Sequence, residues 1–352
     1  MKSKHFFILA ISLCLSALII LALLTVYIDP FFHFHAPIDG VSYQLSNQRY
    51  QNDGILRHFE YDAIIIGTSM TQNFKTSEMD AHFGTNSVKV PLVGAYNKEI
   101  GDRLNRAFES ENEITHVVMS LDLFSLLADK DAVSYDDYPE YLYDDNIFND
   151  VHYLFNKTVL VDHTILAIRC TLSGQPMTSF DDYSKWSDTC TYGKEAALAL
   201  YERPAQVTTA TKLTEERRQS VIDSLEQNII SLARENKETT FYCFIPPYSI
   251  LRLDSWLRSG SFDCYFDIYK AVSEALLAEE NIRVFSFYEE NDIICNLDNY
   301  RDDFHFGGWI NSHILKAMAK GEHELTSEGI EDYFEITKEY YRSYDYDSIF
   351  EE

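Results

Sequence analysis

Five short apolar segments, separated by helix-like segments, constrain the fold of this chain more than any other feature. Each is rich in β-branched or aromatic residues, as buried strands are. They are residues 62–66, 87–92, 116–121, 239–245 and 282–287. Strands that alternate with helical segments are typical of a parallel sheet covered by helices on both faces. The sequence therefore predicts an α/β protein with a five-stranded, mainly parallel sheet.

The segments between these strands have the apolar periodicity of helices. In residues 97–109, for example, Ile100, Leu104 and Phe108 recur at intervals of four and form one apolar face. The other predicted helices are residues 75–83, 213–235, 266–279, 310–320 and 326–343. The alternation stops at residues 125–210, which are rich in Tyr, Asp and Asn. Ordinary connections in α/β folds are far shorter, so we predict an insertion of helices and loops there, without an obvious core of its own and lying over one end of the sheet.

The first thirty residues predict a membrane anchor. Lys2 and Lys4 precede an uncharged stretch, residues 6–28. At about 1.5 Å per residue, this stretch spans the roughly 30 Å hydrocarbon core of a bilayer. A cleaved signal peptide is the competing interpretation, but the apolar run is longer than usual and no clear small-x-small cleavage site follows it. Because lysines on the amino side favour a cytoplasmic amino terminus, we expect a single-pass protein of the cell membrane with an extracytoplasmic C-terminal domain.

This division predicts an anchor at residues 1–35 and one α/β domain at residues 36–352, which carries the insertion. Residues 36–60 are polar and are expected to form a stalk that enters the domain. The aromatic residues directly after the apolar stretch are expected to lie near the lipid headgroups. They are Phe31, Phe32 and Phe34.

Charge and cysteine spacing exclude several classes of partner. The net charge is −27, whereas nucleic acids and anionic membrane surfaces are bound by clustered Lys and Arg. The chain has no Cys-x-x-Cys pair and no glycine-rich phosphate loop, so we expect no metal, no cofactor and no nucleic acid. Cys170 and Cys190 bracket a polar stretch, and a disulfide between them would suit an extracytoplasmic domain.

One serine follows the first predicted strand. Gly67 ends that strand in a turn, and Ser69 comes two residues later. A serine at the carboxyl end of a buried strand lies where open α/β sheets place their ligands and catalytic groups. On its own, the pattern favours a purely structural turn, because strand–Gly–Ser–helix turns are common.

An aspartate and a histidine follow the fifth predicted strand with catalytic spacing. Asp302 precedes His305 by three residues, so its carboxylate can accept a hydrogen bond from one imidazole nitrogen. The other nitrogen is then free to take a proton from a hydroxyl group. Asp303 is a rival for this role, although the spacing favours Asp302.

Together, Gly67-Thr68-Ser69 and Asp302-x-x-His305 resemble the SGNH (GDSL-type) hydrolase superfamily. The order of elements is similar to membrane-anchored members of bacterial envelopes, such as the D-alanyl-lipoteichoic acid biosynthesis and alginate O-acetylation proteins. The resemblance implies a flavodoxin-like, three-layer α/β/α fold. It also implies that Ser69 is the nucleophile, His305 the base and Asp302 its orienting partner. The backbone N–H groups of Ser69 and of Gly94, after the second strand, would form the oxyanion hole.

The chain departs from this family after the third strand, where Asp122 stands in place of an oxyanion-binding asparagine. An ionised carboxylate donates no hydrogen bond, so Asp122 is protonated, or it orients the loop, or another group completes the oxyanion hole. Thr68 and Asn73 are further candidates to line the site, with Asn73 as an extra donor at the start of a helix.

The resemblance implies an esterase or O-acyltransferase that acts through an acyl-enzyme on acyl groups of an envelope polysaccharide or another acylated polymer. An integral-membrane partner would supply the acyl donor. The alternative is a non-catalytic assembly or glycan-binding protein that keeps the fold. Catalysis requires Ser69 Oγ within hydrogen-bond reach of His305 with Asp302 behind it. A separation of more than about 8 Å between Ser69 and His305 would favour the binding protein.

Overall fold

A computed structural model describes residues 2–135, 139–144 and 146–351. The chain divides into two compact units. Residues 1–60 and 135–183 form one, which we call the N-terminal unit, and residues 61–134 and 184–352 form the other, which we call the sheet unit.

The described part of the sheet unit contains a five-stranded sheet in which all strand pairs are parallel. Its strands are β1 (Ala63–Gly67), β2 (Ser87–Pro91), β3 (His116–Ser120), β4 (Thr240–Ile245) and β5 (Ile282–Ser286). The strand order is β2-β1-β3-β4-β5, which is the flavodoxin-like order. The predicted fold class is confirmed, and each strand lies within one residue of its predicted bounds.

The described α-helices vary in length from single turns to the long amino-terminal helix. They are α1 (Lys2–Ile28), α2 (Gln48–His58), α3 (Thr76–Phe83), α4 (Asn97–Phe108), α5 (Leu123–Leu126), α6 (Val151–Leu154), α7 (Ile165–Ser173), α8 (Lys194–Ala199), α9 (Glu215–Leu225), α10 (Ser231–Glu235), α11 (Ile250–Arg258), α12 (Phe262–Leu276), α13 (Asn291–Ile294), α14 (Gly308–Lys320) and α15 (Ile330–Arg342). Single 3₁₀ turns lie at Ser69–Thr71, Glu140–Leu142, Ser187–Thr189, Leu297–Asn299 and Asp347–Phe350, and π-helical turns at Thr158–Thr164 and Glu226–Ile230.

Helices cover both faces of the sheet. The crossover through α3 leads from β1 to β2, whereas the crossover through α4 leads back past β1 to β3. Because parallel crossovers are right-handed, this change of direction puts α3 and α4 on opposite faces. Helix α14 packs against α3, and α12 packs against α9 and α15. The carboxyl ends of β1 and β3 therefore flank the switch point at which open sheets bind ligands.

Within the N-terminal unit, α1 is the helix with membrane-spanning properties. Among the described residues, only Lys4–Ile28 is long and apolar enough to cross a bilayer, and a signal sequence passes the same test. Most of its large apolar side chains are exposed. The helix is thus consistent with the expected single-pass anchor.

The chain turns sharply after α1. Asp29 adopts a left-handed conformation with φ +46°, and its carboxylate accepts hydrogen bonds from the backbone N–H groups of His33, Phe34 and His35. This turn directs Phe31 into a core cluster of the N-terminal unit, where it packs with Leu142, Tyr153 and Val159.

Phe31 and Phe32 are fully buried. Their expected place among lipid headgroups is therefore wrong, because the turn at Asp29 carries them into the protein.

Residues 36–60 form part of a packed structure. They contain α2, in which Gln51 and Asn52 are fully buried. The Gln51 side chain accepts from the N–H groups of Ser46 and Asn47, and Asn52 accepts from the hydroxyl of Tyr183. The expected stalk is wrong because these polar side chains, which suggested exposure, are satisfied inside the protein.

Candidate active site

The turn after β1 can be made only with glycine at its first position. Gly67 has φ +143°, a backbone conformation that is strained for any residue with a side chain. A Cβ atom there would lie 2.6 Å from Ser120 Oγ and 2.8 Å from Thr71 Cγ2. The close approach of β1 and β3 at this point therefore depends on Gly67, and it sets the direction of the next two residues.

Thr68 connects this turn to the end of β3. Its hydroxyl donates to Asp122 Oδ2 at 2.7 Å and accepts from the backbone N–H of Met70 at 3.3 Å. It thereby caps the 3₁₀ turn Ser69–Thr71. Thr68 is fully buried and Ser69 is half-buried, so Thr68 supports the turn while the Ser69 side chain is accessible.

Ser69, His305 and Asp302 form one hydrogen-bonded chain. His305 Nδ1 lies 2.8 Å from Asp302 Oδ2, and His305 Nε2 lies 2.9 Å from Ser69 Oγ. A carboxylate only accepts hydrogen bonds, so Nδ1 carries the proton and Nε2 accepts from the serine hydroxyl. The geometric condition for the catalytic hypothesis is met.

The Asp302 carboxylate is held by its own loop. Its Oδ1 accepts from the backbone N–H groups of Phe304, at 3.0 Å, and His305, at 2.7 Å. Burial opposes ionisation of Asp302, but the hydrogen bonds and charge of His305 outweigh it, and the pKa of Asp302 is lowered. Asp302 is thus suited to stabilise a positive imidazolium.

Asp303 points to a different partner. Its carboxylate forms an ion pair with Arg252 at 2.8 Å, and its carbonyl accepts from Ser249. Burial raises the pKa of Asp303, and the Arg252 charge offsets part of that rise. The carboxylate that contacts His305 is therefore that of Asp302.

Asp122 is buried behind the serine turn, with 1% of its surface exposed. Three hydroxyl groups donate to its carboxylate, those of Thr68, Ser120 and Tyr248. Burial raises the pKa of Asp122, and these hydrogen bonds only partly oppose the rise. Asp122 therefore acts as an acceptor that organises the ends of β1, β3 and β4. Neither Ser120 nor Tyr248 was singled out in the sequence, because hydroxyl residues beside strands are too common to be informative.

Gly94 lies in the turn after β2 with φ +69°. The backbone at the end of this strand is tied to the serine turn, since Leu92 donates its N–H to the carbonyl of Gly67 at 2.7 Å. Gly94 itself is half-buried. Its role as an oxyanion donor stays a prediction.

Asn73 contacts a second loop of the sheet unit, and its role as an extra donor stays a prediction. It lies in a turn before α3, not at a helix start. Its side-chain oxygen accepts hydrogen bonds from the backbone N–H groups of Trp186, at 3.1 Å, and Ser187, at 3.0 Å. The amide thus holds a second loop at the site. The Trp186 ring meets the His305 ring edge-on, with centroids 5.4 Å apart.

An apolar pocket adjoins these residues. It has a volume of about 380 Å³. Its lining residues are Leu123, Phe124, Leu127, Tyr248, Arg252, Trp256, Tyr265 and Phe304. Tyr248 also donates to Asp122, and the Phe304 ring lies 4.1 Å from that of His305 between centroids. The pocket can therefore hold an apolar group close to the hydrogen-bonded chain.

All six cysteines lie within the described residues, and each is a free thiol. The Cys170 thiol donates a hydrogen bond to the side-chain oxygen of Gln175, and the Cys190 sulfur accepts one from Arg301. The expected disulfide between them is not formed. The sequence suggested it from the polar stretch between them, but each sulfur has a different neighbour.

Among the described residues, one group of side chains is arranged to hold a metal ion, and it does not include Ser69, Asp302 or His305. It consists of Glu290, His313 and His323.

No protein-family model matches the sequence, and no curated protein sequence matches it. Among solved structures, the chain is similar to one described as a "putative platelet activating factor from Streptococcus pneumonia". The two share 12% sequence identity, and the similarity covers 82% of this chain and 91% of that chain with a TM-score of 0.39. A likeness this distant does not bear on the function of the chain.

Proposed function

We propose that this chain is an SGNH-like serine esterase or O-acyltransferase. The observation that carries the proposal is the hydrogen-bonded chain from Ser69 through His305 to Asp302. A hydroxyl, an imidazole and a carboxylate in this order form the arrangement that activates serine for acyl transfer.

In the proposed reaction, Ser69 Oγ attacks the carbonyl carbon of an ester while His305 Nε2 takes its proton. Asp302 stabilises the imidazolium that results. When the tetrahedral intermediate collapses, the C–O bond to the leaving alcohol breaks and His305 returns the proton to that alcohol. Water or a sugar hydroxyl then attacks the acyl-enzyme by the same steps. The first acceptor makes the protein an esterase and the second makes it a transferase.

The oxyanion would be held by the backbone N–H groups of Ser69 and Gly94. Asp122 does not need to replace the family's asparagine as a donor, since its hydrogen bonds run to Thr68, Ser120 and Tyr248. In this proposal Asp122 is a positioning residue that keeps Thr68, and through it Ser69, in place.

The apolar pocket supports an acyl group as the part of the substrate that enters the protein. An aliphatic chain gains about 0.8 kcal/mol for each CH₂ group that leaves water. Trp186, which is half-buried beside His305 with the Arg301 guanidinium over its ring, is an aromatic side chain of the kind on which a sugar ring can stack. An acylated envelope polymer fits both features, and an anchored enzyme would receive acyl groups from an integral-membrane partner.

A second candidate function is a non-catalytic glycan-binding or assembly protein with this fold. Asp122 favours it, because a carboxylate stands where the family carries an oxyanion donor. The two candidates differ in whether Ser69 reacts.

The test uses the full-length chain in detergent micelles and a fluorophosphonate probe that labels activated serines. We expect labelling of the wild-type chain at Ser69, none in Ser69→Ala, and a loss of labelling in His305→Ala. Ser327→Ala is the matched control, since Ser327 is exposed in a turn of the same unit. Circular dichroism checks that each variant is folded. Absence of labelling in the folded wild-type chain would favour the binding protein, as would equal labelling of Ser69→Ala.

A further inference from the structure

Three elements of the sheet unit bring two histidines and a glutamate together. Glu290 follows β5, His313 lies in α14, and His323 lies in the turn after α14. The turn is tied to the end of β5, because Ser286 donates its N–H to the carbonyl of His323 at 3.1 Å. The ring of Phe287 contacts both imidazoles. The sequence spacing, in which His313 follows Glu290 by 23 positions, gives no sign of this cluster.

The distances within the cluster suit a metal ion. His313 Nε2 lies 2.8 Å and 3.0 Å from the two oxygens of Glu290. His323 Nε2 lies 3.5 Å from Glu290 Oε1, and one ligand atom from each residue falls within 4.8 Å of the others. With metal–ligand bonds of about 2.0–2.1 Å, the edges of a tetrahedron are about 3.3 Å long. The three side chains therefore need only small movements to share one ion.

An outer carboxylate orients one of the imidazoles. His323 Nδ1 lies 2.6 Å from Glu289 Oε1, and the carboxylate can only accept, so Nδ1 carries the proton. In the neutral imidazole, His323 Nε2, which faces Glu290, then carries the lone pair that a metal ion requires. In metal sites, a histidine ligand usually donates its other N–H to a carboxylate in this way. The carboxylate fixes the tautomer and makes the ligating nitrogen more basic.

We propose that Glu290, His313 and His323 form a site for a divalent metal ion of the zinc class. Two imidazoles and one carboxylate are ligands that zinc accepts, whereas calcium and magnesium prefer oxygen ligands. The side chains are 20–38% exposed, so an ion can reach them and a water molecule can complete its coordination. The ion would connect the turn after β5 to α14 and to the turn that follows it.

The alternative is that the two imidazoles simply form hydrogen bonds or ion pairs with Glu290. Both explanations account for the short distances, but they differ in the response to added metal. An ion that binds only the folded chain also raises its melting temperature.

The experiment uses the full-length chain in detergent, treated with a chelator and dialysed, and then titrated with zinc chloride alone by calorimetry. We expect one zinc ion per chain and a higher melting temperature. Glu290→Gln and His323→Ala should each lower the affinity at least about 100-fold, because a ligand is lost. Glu289→Gln should lower it about 10–100-fold, because only the outer partner is lost.

His82→Ala is the matched control, since His82 is an exposed histidine in α3 and should leave the affinity unchanged. If His323→Ala fails to fold, the two glutamine variants carry the test, because they keep the size of the side chain. The proposal is overturned if the wild-type chain takes up no zinc, or if Glu290→Gln and Glu289→Gln bind it as the wild-type chain does. Serine labelling does not enter this test, so its outcome is independent of the proposed enzyme function.

Discussion

Asp302, in the loop after β5, and Asp122, just after β3, have environments that shift the pKa of a carboxyl group in opposite directions. Each carboxylate accepts three hydrogen bonds, and burial opposes the ionisation of both. The donors to Asp302 are two backbone amides and an imidazole that can become positive, and its pKa is lowered. The donors to Asp122 are neutral hydroxyls, and its pKa is raised. The kind of donor and the depth of burial, rather than the number of hydrogen bonds, decide which carboxylate is easily ionised.

The largest expected effect comes from Asp302→Asn. The amide cannot stabilise the imidazolium and favours the wrong tautomer of His305, so we expect the rate of fluorophosphonate labelling at pH 7 to fall about 10⁴-fold. The melting temperature provides the control for folding. A fall of less than tenfold would remove Asp302 from the proposed mechanism.

Thr68→Val tests the link between Asp122 and the serine turn. Valine has the shape of threonine but cannot donate to Asp122 or accept from Met70, so we expect a loss of about 1–3 kcal/mol in the free energy of unfolding. Slower labelling of Ser69 should accompany it. Thr68→Ser, which retains the hydroxyl, is the matched control. Equal stability of the two variants would mean that the Asp122 contact contributes little.

The pH dependence of stability should differ in sign between the two aspartates. Asp122 has a raised pKa, so its contribution is complete below its ordinary value and is lost as the pH rises through the folded-state pKa. Asp302 has a lowered pKa, so its contribution is present above its ordinary value and is lost as the pH falls through the folded-state pKa.

Thermal unfolding between about pH 3 and 8 measures this difference. The difference in melting temperature between the wild-type chain and Asp122→Asn should decrease as the pH rises. The difference between the wild-type chain and Asp302→Asn should decrease at acidic pH. Each unit of pKa shift corresponds to about 1.4 kcal/mol. Parallel curves for the two variants would contradict the contrast.

The smallest effect on labelling is expected for Asp303→Asn. Asp303, whose side chain is 16% exposed, pairs with Arg252 and does not contact His305, so labelling should change by less than about threefold. Because the neutral amide leaves the partly buried Arg252 without its charged partner, we expect the melting temperature to fall, while labelling stays nearly unchanged. A loss as large as that of Asp302→Asn would mean that the two aspartates act together.

The sheet was predictable from the sequence because each of its strands is buried on both faces. A strand such as β4 is apolar at nearly every position, so its bounds appear directly as a short run of apolar residues. Helix α11 was not predicted. It begins only a few residues after two prolines and has nine residues, which is short for a helical period to be recognised. Its apolar face also includes the buried, ion-paired Asp254.

The site was predictable only in part. The resemblance put Ser69, Asp302 and His305 into one site, and the structure brings them within hydrogen-bond distance, while their catalytic roles stay predictions. The prediction that Asn73 lies at a helix start was wrong, because it lies in the turn before α3. There its amide oxygen accepts hydrogen bonds from the backbone of the Trp186 loop. Such contacts join residues more than 100 positions apart, so they cannot be predicted from a local pattern of residue types.

The cluster of Glu290, His313 and His323 illustrates the same limit. Each residue is unremarkable in its own segment, and the expectation of no metal rested on the absence of short-range cysteine and histidine motifs. Only the tertiary fold, in which the turn after α14 is hydrogen-bonded to the end of β5, brings the three side chains together.

The separation of Ser69 and His305 along the sequence also determines when the site can be assembled during synthesis. The two residues are 236 positions apart, and chains emerge from the ribosome with the amino terminus first. Until the loop that follows β5 has been made and has docked, the serine has no base beside it. Long-range contacts of this kind form late in folding. Under the proposed mechanism, a chain that lacks this loop would not react with a serine-directed probe, and labelling of Ser69 would report that the loop has docked.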